Sequence, residues 1–146
     1  MDLRGRIREV LERGHLLSLG TTDDGGVWVS DVIYIFDEDL NIYWMSDPEV
    51  RHSQAILKNN QVAGTITVSN QAKEKNFGLQ IEGEARKIDE PRFDLATKHM
   101  LKRGNPAPSE KDDVLQGDSW FVVHPNKIEL IDEENLGFNK ETLKLN

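Results

Sequence analysis

The chain has 146 residues, no cysteine, and 18 Lys and Arg against 26 Asp and Glu, a formal charge of −8. That length suits a single domain, residues 1–146, with a real core. The missing thiols exclude disulfides, thiolate metal sites and cysteine nucleophiles, and the acidic balance argues against nucleic acid and anionic membrane surfaces, which call for a basic face.

The opening segment MDLRGRIREVLERG is charged throughout and lacks the apolar core of a signal peptide, and no apolar run approaches membrane-spanning length. A cytoplasmic protein is the expectation. Asp2 can cap a first helix that carries Leu3, Ile7, Val10 and Leu11 on one face and stops at Gly14. HLLSLGTTDDGGVWVSDVIYIF then reads as two strands around an Asp23-Asp24-Gly25-Gly26 turn, the second arm running from Val27 to Phe36. After DEDLN comes IYWMS, so three consecutive antiparallel strands are expected.

A helix entry follows at Asp47-Pro48-Glu49, with Asp47 as cap and Pro48 at the first helical position. This helix is expected to reach Asn59-Asn60 and to carry Val50, Ile56 and Leu57. QVAGTITVSNQ returns to strand character, Lys73 to Asn76 is a polar turn, and FGLQIEGEARKI is the next strand. Gly83 within it signals a bulge or a close approach of another backbone or a ligand. EPRFDLATKHMLKRG predicts a third helix with Phe93, Ala96, Met100 and Leu101 inward. NPAPSEKDDVLQGDS is a charged loop, and SWFVVHPNKIELID reads as two short strands split at Pro125. Strand runs with helices set between them, without regular β-α alternation, predict a mainly β (α+β) fold: an antiparallel barrel or sandwich with peripheral helices.

Chemical motifs are few. His15, His52, His99 and His124 do not pair at helical ligand spacing, so no metal site is indicated. There is no nucleophile elbow and no glycine-rich phosphate loop. One stretch stands out, MSDPEVRHSQAI. Arg51, His52 and Ser53 follow a helix start, although the helix dipole favours anions there. With Ser46 and the free backbone N–H groups they make a donor set suited to a phosphate dianion. The alternative is a surface ion pair between Arg51 and an acidic neighbour, an arrangement that is common and weak.

The order of these elements resembles that of the pyridoxamine-phosphate-oxidase-like flavin proteins, the FMN-binding split barrels. The likeness is carried by LLSLGTTDDGGVWVSDVIYIFDEDLNIYWMS, then DPEVRHSQAILKNNQVAGTITV, GLQIEGEARKI and WFVVHPNKIELID. It covers nearly the whole chain, and NLGFNK resembles a small bacterial branch of the family. The resemblance implies an antiparallel split β-barrel, a homodimer, and FMN held in grooves between two barrels. It implies phosphate contacts at Met45, Ser46, Arg51, His52 and Ser53, with Lys58 two turns further along. It also places the flavin ring along Trp28, Val29, Ser30 and Asp31, with Gln80 reaching it from the partner chain and Trp120 covering it. Core packing is the competing role for Trp28 and Trp120.

The sequence departs from the enzymes of that family that oxidise pyridoxamine phosphate. The strand VWVSDVIYIF carries Asp31 and no Lys or Arg, and the C-terminal region HPNKIELIDEENLGFNK offers only Lys127 and Lys140. The expectation is therefore an FMN-binding protein, an oxidoreductase acting on an unassigned small molecule with an unassigned electron donor. No side chain is singled out as catalytic. The alternatives are a non-catalytic module for flavin, deazaflavin or haem, and a scaffold that works through its dimer surface.

Overall fold

A computed structural model describes residues 1–145. Helix α1, Leu3–Arg13, begins where the Asp2 carboxylate accepts from the Gly5 N–H at 3.0 Å, and it buries Ile7, Val10 and Leu11. It ends at Gly14, which is wedged against the Tyr34 hydroxyl and Ile66. Strands β1, Leu16–Asp23, and β2, Gly26–Ile33, form the expected hairpin, from Leu16 opposite Ile33 to Asp23 opposite Gly26. The second arm is not one strand. It breaks at Tyr34, whose hydroxyl donates to the Leu11 carbonyl at 2.8 Å, and resumes as the two-residue β3, Ile35–Phe36.

Strand β4, Ile42–Ser46, pairs with β3 and with β7, Ser119–Asp132, so the expected run of three neighbouring strands is corrected at its third member. Strands β5, Gln61–Thr67, and β6, Phe77–Ile88, complete an antiparallel sheet in the order β2-β1-β5-β6-β7-β4-β3. The two ends of that order, β2 and β3, are joined by the single residue Tyr34. This connection curls the sheet into a half-barrel. A short helix α4, Glu133–Leu136, leads into β8, Lys140–Lys144, which pairs with the C-terminal half of β7.

The segment expected to split at Pro125 is instead one 14-residue strand. The register shifts between Glu82 and Gly83, where Glu82 lies opposite Lys127 and Gly83 opposite Pro125. A bulge absorbs the proline. A Cβ on Gly83 would collide with the His124 carbonyl oxygen and lie 2.8 Å from the Pro125 Cα, so the close approach anticipated there is to the chain's own backbone. Gly83→Ala is expected to cost about 1–3 kcal/mol as an overpacking substitution, lowering the melting temperature by several degrees in a calorimetric scan.

The main core packs α1 against β1, β4, β5, β6 and β7, with Trp44, Phe121, Ile42 and Leu17 fully enclosed. A second cluster joins helix α3, Phe93–Lys102, to Trp120, Val122 and Tyr43. The inward face of α3 is Leu95, Ala96 and His99, whereas Phe93 and Leu101 are exposed. The helix is therefore rotated relative to the sequence expectation. Burying His99 instead of Leu101 lets the imidazole meet the edge of Trp120, with ring centroids 5.6 Å apart. Burial, reinforced by the positive charge of Arg103, pulls the His99 pKa down to about 4. An unfolded histidine titrates near 6.5, so the unfolded chain binds the extra proton between those values. Stability is thus expected to fall as pH drops from about 6.5 to about 4. Proton NMR titration should show the His99 ring still neutral at pH 5, and His99→Gln should remove that signal.

No helix among the described residues is long and apolar enough to cross a membrane.

Candidate functional site

Asp47 does not cap the second helix. Its carboxylate accepts from the Glu49 N–H at 2.9 Å, its carbonyl accepts from the Val50 N–H at 3.3 Å, and the chain turns twice before helix α2, Arg51–Lys58, begins. The N-cap is Val50, which makes no side-chain cap. This correction of three residues has a chemical consequence. Arg51, His52 and Ser53 are the first three helical residues, and no acidic side chain shares that turn. The inward face is Ser53, Ala55 and Ile56, whereas Val50 and Leu57 are exposed, contrary to expectation.

The first turn sits beside two other elements. Ser46 ends β4, and its Oγ lies 3.0 Å from His52 Nε2. Burial holds the His52 imidazole below the ordinary histidine pKa. Ser53 is fully buried, and its Oγ has no partner among the described residues. An enclosed hydroxyl without a partner is an unusual cost in a folded protein. The tip of the β1–β2 hairpin reaches over the same turn. Asp23 grips the Arg51 guanidinium at two points, 2.9 Å from Nε and 3.1 Å from Nη2. Those hydrogen bonds hold the Asp23 carboxyl below its usual range. The guanidinium lies 4.4 Å from the centroid of Trp28, sandwiched between the ring and the hairpin tip. A cleft of about 410 Å³ opens here between the hairpin and α2, with Lys58 and Gln54 on its wall beside Arg51 and Asp23.

The sequence candidates thus divide. Ser46, Arg51, His52, Ser53 and Trp28 gather around the start of α2, and of the candidates Arg51 and Lys58, the latter at the far end of the helix, line the cleft. Both roles of Arg51 are represented, because its guanidinium lines a cleft that also carries Lys58, Asp23 and Asp24, and it is paired with Asp23. Trp28 lies opposite the buried Thr21, and Ser30 opposite Leu19, on the inner face of the hairpin. Val29 and Asp31 necessarily point to the other face, because side chains alternate along a strand. There Asp31 accepts from Ser18 Oγ at 2.6 Å. Gln80 shares that outer face through Thr65 and Ser18 on the intervening strands, and its Oε1 accepts from Lys140 Nζ at 2.9 Å. Met45 packs against the second core cluster. Trp120 is wholly enclosed in that cluster, and its indole N–H donates to the Pro91 carbonyl at 3.0 Å. Packing, not ring coverage, is the role its surroundings give it within this chain.

Sequence reasoning missed Asp23 and Thr21. Asp23 read as a turn residue, and its partner is 28 positions away. Thr21 Oγ1, like Ser53 Oγ, is buried without a partner among the described residues. No group of three or more potential metal ligands occurs among the described residues.

The donor set suits a phosphate monoester. It comprises a guanidinium, an imidazole, two hydroxyls and the uncapped N–H groups at the start of an eight-residue helix, with the Lys58 ammonium at the other end of that helix. The orphaned Ser53 hydroxyl and the absence of any carboxylate in the first turn agree with an anionic occupant.

A curled antiparallel half-barrel with peripheral helices and this cleft defines the class of split-barrel proteins. The chain belongs to the pyridoxamine 5'-phosphate oxidase family, whose profile matches residues 3–132. It is 28% identical over 136 residues to UPF0306 protein plu4501 of Photorhabdus laumondii, covering 92% of this chain and 90% of that protein. Among solved structures it resembles General Stress Protein 26 from Bacillus anthracis, with a TM-score of 0.71, 20% identity, and coverage of 99% of this chain and all of that one. It also resembles the haem storage protein HutZ from Vibrio cholerae, with a TM-score of 0.64, 17% identity, and coverage of 86% and 91%.

Proposed function

We propose that this protein is an FMN-binding oxidoreductase that holds the flavin phosphate at the start of α2. The observation that supports this most directly is the first turn of α2, where Arg51, His52 and a buried, unpartnered Ser53 hydroxyl meet Ser46 with no carboxylate in the turn. Arg51 would supply a planar two-point contact, Ser46 and Ser53 hydroxyl donors, and His52 a donor whose charge a nearby dianion would favour. Lys58 would add positive charge on the cleft wall.

Bound FMN supplies hydride and single-electron transfer, and the chain supplies position and charge. The flavin ring would lie toward the hairpin, where Trp28 is half exposed and Val27 and Val29 are open to solvent. Those exposed valines belong to the outer sheet face that also carries Gln80. The reading therefore includes a homodimer, with that face of a second copy closing the site. Pyridoxamine phosphate is not proposed as substrate. The strand that would carry cations toward it carries Asp31, already bonded to Ser18.

The test is the visible spectrum of the purified protein before and after FMN is added, followed by desalting. Flavin bands that travel with the protein, at one per chain, support the reading. A protein that stays colourless with FMN refutes it. A Soret band after haem is added, with no retention of flavin, would favour the haem reading suggested by the fold shared with HutZ.

A further inference from the structure

A second cleft, sharing no lining residue with the first, lies between α1, β3 with its following turn, and the last turns of α3. Its volume is about 380 Å³, within the ordinary range for small-molecule sites. Leu11, Ile35 and Phe36 form an apolar floor and wall. Lys98 and Lys102 stand four residues apart on α3, a spacing that puts both on one helix face. Arg8 approaches from α1.

How these cations spend their hydrogens is the telling feature. Lys102 Nζ donates to the Tyr34 carbonyl at 2.5 Å and lies 3.6 Å from the centroid of the Tyr34 ring. Lys98 Nζ donates to the Phe36 carbonyl at 3.3 Å, and Arg8 Nη2 to the Glu38 carbonyl at 3.1 Å. Among the described residues, none of the three makes an ion pair. The acidic residues of the same cleft do not serve them. The Asp37 carboxylate is taken up by the Tyr43 hydroxyl, the Asn41 side chain and the backbone N–H groups of Asp39 and Asn41. Glu12 and Glu38 are exposed at the rim.

An ammonium has three donor positions, and a backbone carbonyl uses one. Lys102 is moreover half-buried, and that burial pulls its pKa down to about 8. It carries the cost of desolvation without the counter-ion that would offset it. We propose that this cleft binds a small monocarboxylate with an apolar body, its carboxylate between Lys98 and Lys102 and its tail along Leu11, Ile35 and Phe36. The rim glutamates would select against more highly charged anions. The site is independent of flavin and stands whether or not FMN binds beside α2.

The test uses octanoate as the probe and 1-octanol as its uncharged counterpart, each titrated calorimetrically into the full-length protein. Saturable octanoate binding at one per chain is expected, with octanol at least about tenfold weaker, the difference that one charge-assisted contact makes. Lys102→Met should weaken octanoate by about tenfold or more, and Lys98→Met should weaken it as well. Arg51→Ala should leave it unchanged. A readout that needs no variant is the acetylation of lysines by limiting acetic anhydride, followed by peptide mapping. Octanoate should slow modification of Lys102 and Lys98 and leave the rate at the lysines outside the cleft unchanged. Equal binding of octanol and octanoate, no saturable uptake, or unprotected Lys102 at saturating octanoate would each overturn the proposal.

Discussion

Arg51→Ala is expected to weaken FMN binding by roughly tenfold or more, the loss of one charge-assisted contact. The pairing with Asp23 sharpens this prediction. Removing the guanidinium also leaves the Asp23 carboxylate at the cleft, and Asp24 follows it on the hairpin tip, so a phosphate would meet uncompensated negative charge. Asp23→Asn should act in the opposite direction. It frees the Arg51 fork from an internal anion, and affinity should rise by roughly two- to fivefold, as expected for breaking an exposed pair. The double variant should bind better than Arg51→Ala alone, because the repulsion goes with the arginine's former partner. The two sites touch, so the cycle should be non-additive. Fluorescence quenching of FMN on titration with apo-protein measures all four affinities. Equal affinity for the wild type and Arg51→Ala would remove the α2 turn from the phosphate site. Weaker binding by Asp23→Asn would instead make Asp23 a positioning residue that holds the guanidinium in place.

The largest stability effect is expected at Phe121. It is fully buried on β7, the strand that pairs with β4, β6 and β8, and its ring stacks on Trp44 with centroids 6.0 Å apart and planes 11° from parallel. Phe121→Ala should cost about 3–5 kcal/mol, from lost transfer free energy and the cavity left behind. For a chain of this size that corresponds to a fall of roughly 6–20 °C in melting temperature. Phe121→Leu keeps most of the volume and should cost well under half as much. Chemical denaturation with an unchanged slope would show that the native state, and not the denatured ensemble, has changed. A loss below about 1 kcal/mol would mean that the surrounding core closes over the space the ring leaves.

What could be read from the residues alone was local. The Asp2 cap, the DDGG turn, the strand FGLQIEGEARKI and the anomalous glycine at 83 are set by neighbours a few positions apart, and each recurs in the structure as read. The antiparallel sheet with peripheral helices follows from the order of such segments. The cluster of cations and hydroxyls after Ser46 was visible because helix N-termini have a known electrostatic sense. Errors arose where a local signal competed with a distant one. Asp47-Pro48 is a good helix entry by composition, yet the chain turns there and the helix waits until Arg51. Pro125 should break a strand, but a bulge opposite Gly83 accommodates it within a long β7. In α3, His99 and Leu95 face inward because the cavity beside Trp120 admits an imidazole edge, a fact no helical periodicity contains.

Only the tertiary structure decided the partners. Asp23 meets Arg51 across 28 residues, Lys102 meets Tyr34 across 68, and Arg6 meets the buried Asp132 across 126 at 2.8 Å. The curl of the sheet depends on Tyr34 joining its two outermost strands. Strand alternation alone puts Trp28 and Val29 on opposite faces, and the curl decides that Trp28's face turns toward Arg51 of α2 and Val29's toward the open outer surface. The physical reason is range. Caps, turns and strand alternation are governed by backbone sterics and hydrogen bonds within a few residues. Charge pairing and burial act through space between segments whose proximity is created by the packing itself.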